Sequence, residues 1–171
     1  MVRLYAFFAV AALVALMFLY AREFEWFSNT IGAGRLVTIA FLLGLIISGG
    51  VIWYFRDRFT PIKKHLPEIG VIGLFITVFS PLMVSLLNRL PGKSNYEQFI
   101  FKSEQAYLAH GYGILKTESI RPTGWILTVE RNGHQYQFKY KEQPYFPITQ
   151  PGEIIELPIR HGVLGFDLVE L

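Results

Sequence analysis

Side chains able to do chemistry are sparse in this chain of 171 residues, and their spacing points to no reaction. Of the four histidines, His65, His110, His134 and His161, no two stand at the i, i+4 or three-to-five-residue separation that lets a pair of imidazoles grip one metal ion. The last three adjoin or lie near turn glycines and read as exposed turn histidines. The carboxylates Glu130, Glu142, Glu153, Glu156, Asp167 and Glu170 are scattered, with no spacing that implies an acid–base pair. Ser94 and Ser103 have no base nearby in the sequence. Cysteine is absent, which excludes disulfides, thiolate nucleophiles and Cys-ligated zinc. A Gly-x-Ser-x-Gly elbow, a His-Glu-x-x-His pair and a phosphate-binding glycine loop are all missing. The expectation is a protein with no catalytic residue, no metal and no cofactor.

One cluster does suggest a ligand. The stretch RDRFTPIKKHLPE, 56–68, carries Arg56, Arg58, Lys63 and Lys64 against Asp57 and Glu68. Phosphate, nucleic acid and lipid headgroups would all suit it, and its surroundings decide among them. Apolar residues make up 52% of the chain, against about 45–50% for soluble domains on a count that also includes glycine. The excess lies before Ser94. Residues 1–94 hold nine Lys/Arg and four Asp/Glu, about +5, whereas 95–171 hold seven and nine, about −2. A nucleic-acid-binding protein concentrates its positive charge on its soluble face. Here the soluble part is slightly acidic, so nucleic acid is not the expected partner.

The basic stretch separates two long apolar runs, and a third precedes them. These are 4–21, 36–55 and 69–87, each 18 to 20 residues without an ionisable side chain. A helix rising ~1.5 Å per residue needs about 20 residues to cross a ~30 Å hydrocarbon core, and only a helix satisfies its backbone within such a segment. Three transmembrane helices are therefore expected in residues 1–93. The first run begins like an export signal. No clean small-x-small site precedes Arg22, so an uncleaved signal anchor is the expectation. The cluster at 56–68 then becomes a short turn between spans, kept non-helical by Pro61 and Pro67, with Arg56, Arg58, Lys63 and Lys64 beside anionic lipid headgroups. Basic residues near the span ends number five on that side and four on the other. The expected topology has the N-terminus in the cytoplasm of a bacterial cell, the spans in the inner membrane and the C-terminal domain in the periplasm or exterior.

Charged or histidine side chains at membrane depth mark transporters and proton relays, and these runs have none. They offer small residues instead. Ala11 and Ala15, and Gly44 and Ser48, stand four apart, with Gly49 and Gly50 beside them; such faces pack helices closely or dock other membrane subunits. Pro81 in TVFSPLMVS removes the partner of the Thr77 carbonyl and should kink the third span, with Ser80, Ser85 or the Thr77 hydroxyl able to compensate. The loop after the first span, with Phe24, Trp26 and Phe27 beside Glu23 and Glu25, reads as a headgroup-level segment.

Beyond the spans, 94–106 reads as a linker, ambiguous between helix and extended chain, and 107–171 as a small β domain. GWILTVERNGHQYQFKYK is a hairpin around Asn132-Gly133, the preferred type I′ pair. YLAHGYGILKTESI precedes it as a strand bent near Gly111 and Gly113, and EIIELPI and LGFDLVEL follow as a second hairpin. Five short strands suggest a small antiparallel β-barrel. The proline-rich connection EQPYFPITQPG forbids a helix there, which favours an SH3-like over an OB-like barrel. Tyr145 and Phe146 in that connection are the candidate partner-contact residues. The layout of a few spans followed by a small β-barrel resembles that of NfeD-type membrane proteins. The resemblance is architectural and implies no activity.

The expected function is that of an accessory or scaffold subunit, its spans docked to other membrane subunits and its barrel contacting a partner. The alternative, from another class, is a ligand-responsive effector or homo-oligomeric channel with the barrel as sensor and the Pro81 helix as moving part.

Overall fold

The computed structural model describes residues 2–90, 92–107, 122–141 and 143–171. Three helices come first: α1 (Val2–Ser28), α2 (Ala33–Tyr54) and α3 (Ile62–Asn88). Five strands follow: β1 (Ser94–Tyr107), β2 (Gly124–Arg131), β3 (His134–Tyr140), β4 (Ile154–His161) and β5 (Asp167–Val169). Helices run through all three apolar stretches. Among the described residues, α2 and α3 are long and apolar enough to cross a membrane.

The helices α2 and α3 pack through small residues. Leu36, Ala40, Gly44 and Ser48, every fourth residue of α2, are all buried, and Gly44 lies against Thr77 and Ser80 of α3. A Cβ on Gly44 would lie 2.4 Å from Ser80 Oγ and 3.0 Å from Thr77 Cα. Gly44 and Ser48 are thus used within the chain, whereas Gly49, Gly50, Ala11 and Ala15 lie exposed. Pro81 is carried inside α3 without ending it. The Thr77 carbonyl, which loses the N–H that any other residue at 81 would supply, accepts the Ser80 hydroxyl at 2.8 Å.

Two boundaries differ from the sequence expectation. The first helix does not stop at Ala21 but continues through the aromatic segment to Ser28, because nothing before Gly32, at φ +77°, breaks it. The basic connection is also more helical than expected. A 3₁₀ turn covers Arg56–Phe59, Pro61 stands just before α3, and Pro67 lies inside that helix. Pro67 removes one bond, to the Lys63 carbonyl, at the helix's exposed first turns, where water replaces it.

The strands form one antiparallel sheet in the order β3-β2-β1-β4-β5, rolled into a nearly closed barrel. Its core is Phe99, Phe101, Leu127, Val129, Phe138, Tyr140, Ile155, Leu157, Ile159 and Val169. The segment expected as a linker, 94–106, is instead the central strand. Phe99 and Phe101 point inward at 1% and 4% exposure, with Gln98 and Ile100 outward. A register shift between Phe101 and Ser103 then breaks the alternation. The hairpin at Asn132-Gly133 is as expected: both residues have positive φ, 53° and 76°, and Arg131 pairs with His134. The β4–β5 hairpin also forms. The strand expected over 107–120, with its bend at Gly111 and Gly113, lies outside the described residues beyond Tyr107, as does His110.

The contact at Gly44 yields a test. Gly44→Ala should overpack the α2–α3 interface and cost about 1–3 kcal/mol, lowering the thermal midpoint in detergent. Gly50→Ala, whose Cβ meets nothing within 4 Å, should leave the midpoint unchanged.

Candidate functional site at the junction of helices and barrel

A sheet of five strands that almost closes leaves two edges, here β3 and β5, with unpaired backbone groups. The turn between α1 and α2 occupies the gap. The side-chain amide of Asn29 donates to the Lys139 carbonyl at 2.9 Å, and its Oδ1 accepts the Lys139 N–H at 2.8 Å. One asparagine side chain thereby pairs with β3 as a neighbouring strand would. On the other side the backbone pairs with β5. The Asn29 carbonyl accepts the Val169 N–H at 2.9 Å, and Ile31 N–H donates to the Asp167 carbonyl at 2.8 Å. Thr30 and Leu168 form a bridge between these bonds. Residues 29–31 thus close the barrel.

The end of α3 makes a second attachment. Asn88, 3% exposed, donates its amide to the Phe166 carbonyl at 2.8 Å and accepts the Leu164 N–H at 3.1 Å. Its backbone carbonyl accepts Val163 N–H at 3.1 Å. All three contacts fall on the β4–β5 turn, and a Cβ at Gly162 would come within 2.3 Å of the Asn88 amide. Glycine is needed there for the approach.

Between the two asparagines lies a buried ion pair. Glu23, 2% exposed on α1, accepts the Ser85 hydroxyl at 2.5 Å and the Arg89 guanidinium at 2.6 Å. The guanidinium lies 4.6 Å from the Trp26 ring centre. Lys141 of the barrel reaches Glu25 at the surface. Ser85 has a carboxylate partner, but no histidine stands beside it among the described residues, and its carboxylate is held by arginine. The cluster is a clamp between helices rather than a nucleophile with its base.

The expected site residues fall in several places. Arg56, Arg58, Lys63 and Lys64 are exposed at the end of the α2–α3 pair remote from the barrel, with Arg56 and Arg58 over the rings of Trp53 and Phe55. Tyr145 is half exposed, while Phe146 turns inward against the core beside Phe101. Both are held by Glu104, whose carboxylate accepts the Tyr145 N–H at 3.1 Å, the Phe146 N–H at 3.2 Å and the Tyr140 hydroxyl. Burial and that carboxylate push the Tyr140 phenol well above its ordinary range. Three of the six scattered acids serve ion pairs, Glu130 with Lys102, Glu170 with Arg160 and Asp167 with His161, and Glu170 also accepts the Ser94 hydroxyl; Glu142 lies outside the described residues. His134 is exposed at the hairpin turn. No group of three metal-ligating side chains gathers among the described residues.

Sequence reasoning passed over Asn29 and Asn88, placed Glu23 in the headgroup-level segment, and counted Arg89 only among the basic residues near the span ends. A carboxylate, a cation and two asparagines gather at the ends of α1 and α3 nearest the barrel. No family model matches this chain, and neither a curated protein nor a solved structure matches it.

Two outcomes test this junction. Asn29→Ala removes both side-chain bonds to Lys139 and should cost about 1–3 kcal/mol; hydrogen exchange should show faster loss of protection at Lys139 and Val169 than at Leu127. Unchanged protection would remove the closing role. His161 titrates above its ordinary 6.5, chiefly through its hydrogen bond to Asp167 at 2.8 Å. The folded state therefore favours the protonated ring. The contact is at full strength below pH 6.5 and is lost as the pH rises through the elevated value. An NMR titration of His161 should show the raised midpoint, and Asp167→Asn should lower it.

Proposed function

We propose that this protein is a non-catalytic, membrane-anchored accessory or scaffold subunit: its helices dock to other membrane subunits, and its barrel is held at a fixed attitude for a partner outside the bilayer. The observation that carries this reading is the closure of the barrel by residues 29–31. A domain tethered for reach would be joined by a flexible linker. Here it is bonded to the ends of two helices and cannot swing freely.

The surface of α1 supports the docking half of the reading. Near its C-terminal end α1 touches α3 through Tyr20 with Phe79 and through Glu23 with Ser85 and Arg89. Towards its N-terminus Phe7, Val10, Val14, Met17 and Phe18 are all exposed, together with Ala11 and Ala15. In this proposal α1 is a third span and signal anchor, and that apolar length takes a span of another subunit. The exposed Gly49 and Gly50 of α2 offer a second close-approach surface. The basic turn rests on anionic headgroups at the cytoplasmic face of a bacterial inner membrane, which leaves the barrel, read as SH3-like, in the periplasm or exterior. Tyr145 is its exposed contact residue.

The competing reading, a sensor or homo-oligomeric channel, needs α3 to move at Pro81. That proline is buried, and the Thr77 carbonyl it frees is already satisfied by Ser80, which favours the scaffold. Extraction in mild detergent discriminates the two. Unrelated subunits should co-purify with the wild-type chain, and Ala15→Trp should release them. A homo-oligomer that purifies alone and conducts ions would overturn the proposal.

A further inference from the structure

A cavity of about 530 Å³ opens where α1 leaves the membrane-facing region and meets the barrel. Its walls are aromatic and apolar: Phe24, Trp26, Tyr107, Tyr140 and Leu171. Three charged side chains line it, namely Glu25, Lys139 and Lys141. Glu25 and Lys141 neutralise each other in an ion pair. Lys139 has no carboxylate partner among the described residues; its ammonium stands 5.9 Å from the centre of the Tyr107 ring. Among the described residues, the lining side chains therefore present one positive charge without a carboxylate partner, in a recess whose walls are largely aromatic.

We propose that this cavity binds the headgroup of an anionic phospholipid, with the phosphate on Lys139 and the glycerol and first acyl carbons against the aromatic walls. The arrangement suits a phosphodiester carrying one net negative charge. A zwitterionic lipid would bring a second cation into a recess that already holds two lysines. Free phosphate would neutralise Lys139 but leave the apolar walls unused, and those walls supply most of the contact in a pocket of this size. The depth also fits, since Phe24 and Trp26 follow directly on the apolar run of α1, where amphipathic rings sit at headgroup level. The site is distinct from the basic turn at Arg56–Lys64, which lies at the opposite ends of α2 and α3. It needs the helices in a membrane, as the proposed function has them, but not the partner subunits.

The backbone of Lys139, rather than its side chain, pairs with Asn29, so side-chain replacement leaves the barrel closed. The full chain in mild detergent would be titrated with phosphatidylglycerol, phosphatidylcholine or sodium phosphate, reading lipid retention by native mass spectrometry together with the thermal midpoint. Phosphatidylglycerol should be retained and raise the midpoint. Lys139→Gln should weaken retention about fivefold, Lys139→Arg should keep it, and Lys102→Gln, outside the cavity, should change nothing. Equal retention by Lys139→Gln, equal stabilisation by phosphatidylcholine, or the same midpoint shift from sodium phosphate alone would each overturn the assignment. A wild-type chain that retains no lipid but still co-purifies subunits overturns this inference and leaves the scaffold reading standing.

Discussion

The amide of Asn29 stands in for a strand. An antiparallel sheet with β3 at one edge and β5 at the other must either roll until those edges meet or have something inserted between them. Five strands, the last only three residues long, do not quite close. A side-chain amide has the donor and acceptor of a peptide group, and at Asn29 both engage Lys139 while the adjacent backbone engages β5. The edges are satisfied by a turn that belongs to the helical part of the chain. The barrel's last hydrogen bonds are therefore also its attachment to the helices.

This coupling explains the polar residues at the helix ends. An attachment through one turn would still allow rotation about it. Asn88 supplies a second anchor on the β4–β5 turn. The Glu23–Arg89 pair then holds α1 against α3 at the same level. Removing Arg89 would strand the Glu23 carboxylate in a buried position, at about 3–5 kcal/mol. An apolar pair of similar volume could be as stable. What the ion pair adds is a single relative rotation of the two helices, since Glu23 must face Ser85 and Arg89 together.

How much of this was visible in the sequence depended on whether the cause was local. The Asn132-Gly133 hairpin was visible because two positive φ angles are required at adjacent residues, and few residue types supply them. The apolar runs were visible from length alone. At Pro81 the freed carbonyl was visible but its partner was not: of Ser80, Ser85 and the Thr77 hydroxyl, it is Ser80 that makes the bond. The central strand β1 was hidden, because the irregularity after Phe101 shifts its alternation and reads as the end of a pattern. Pro67 misled for a related reason: a helix tolerates a proline where water can take over the lost bond. Asn29 and Asn88 could not be picked out, because their partners lie 110 and 76–78 residues away. An asparagine after a helix is ordinarily a cap, and nothing nearby distinguishes one that closes a barrel.

The distribution of polar contacts also limits how the protein could move. Within the α2–α3 interface the hydroxyls of Ser48 and Ser80 bond to carbonyls of their own helices. They permit close approach and add little cross-helix bonding of their own. The described bonds between α1, α3 and the barrel all gather at one end of the helices. A displacement of α1 against the rest of the fold would be resisted at Glu23 and Asn29, where the described contacts with α3 and the barrel gather. Motion that did reach the junction would pull directly on both barrel edges, so the barrel would open before it could tilt. A body built in this way holds its barrel in one orientation relative to the helix ends until the joint itself fails.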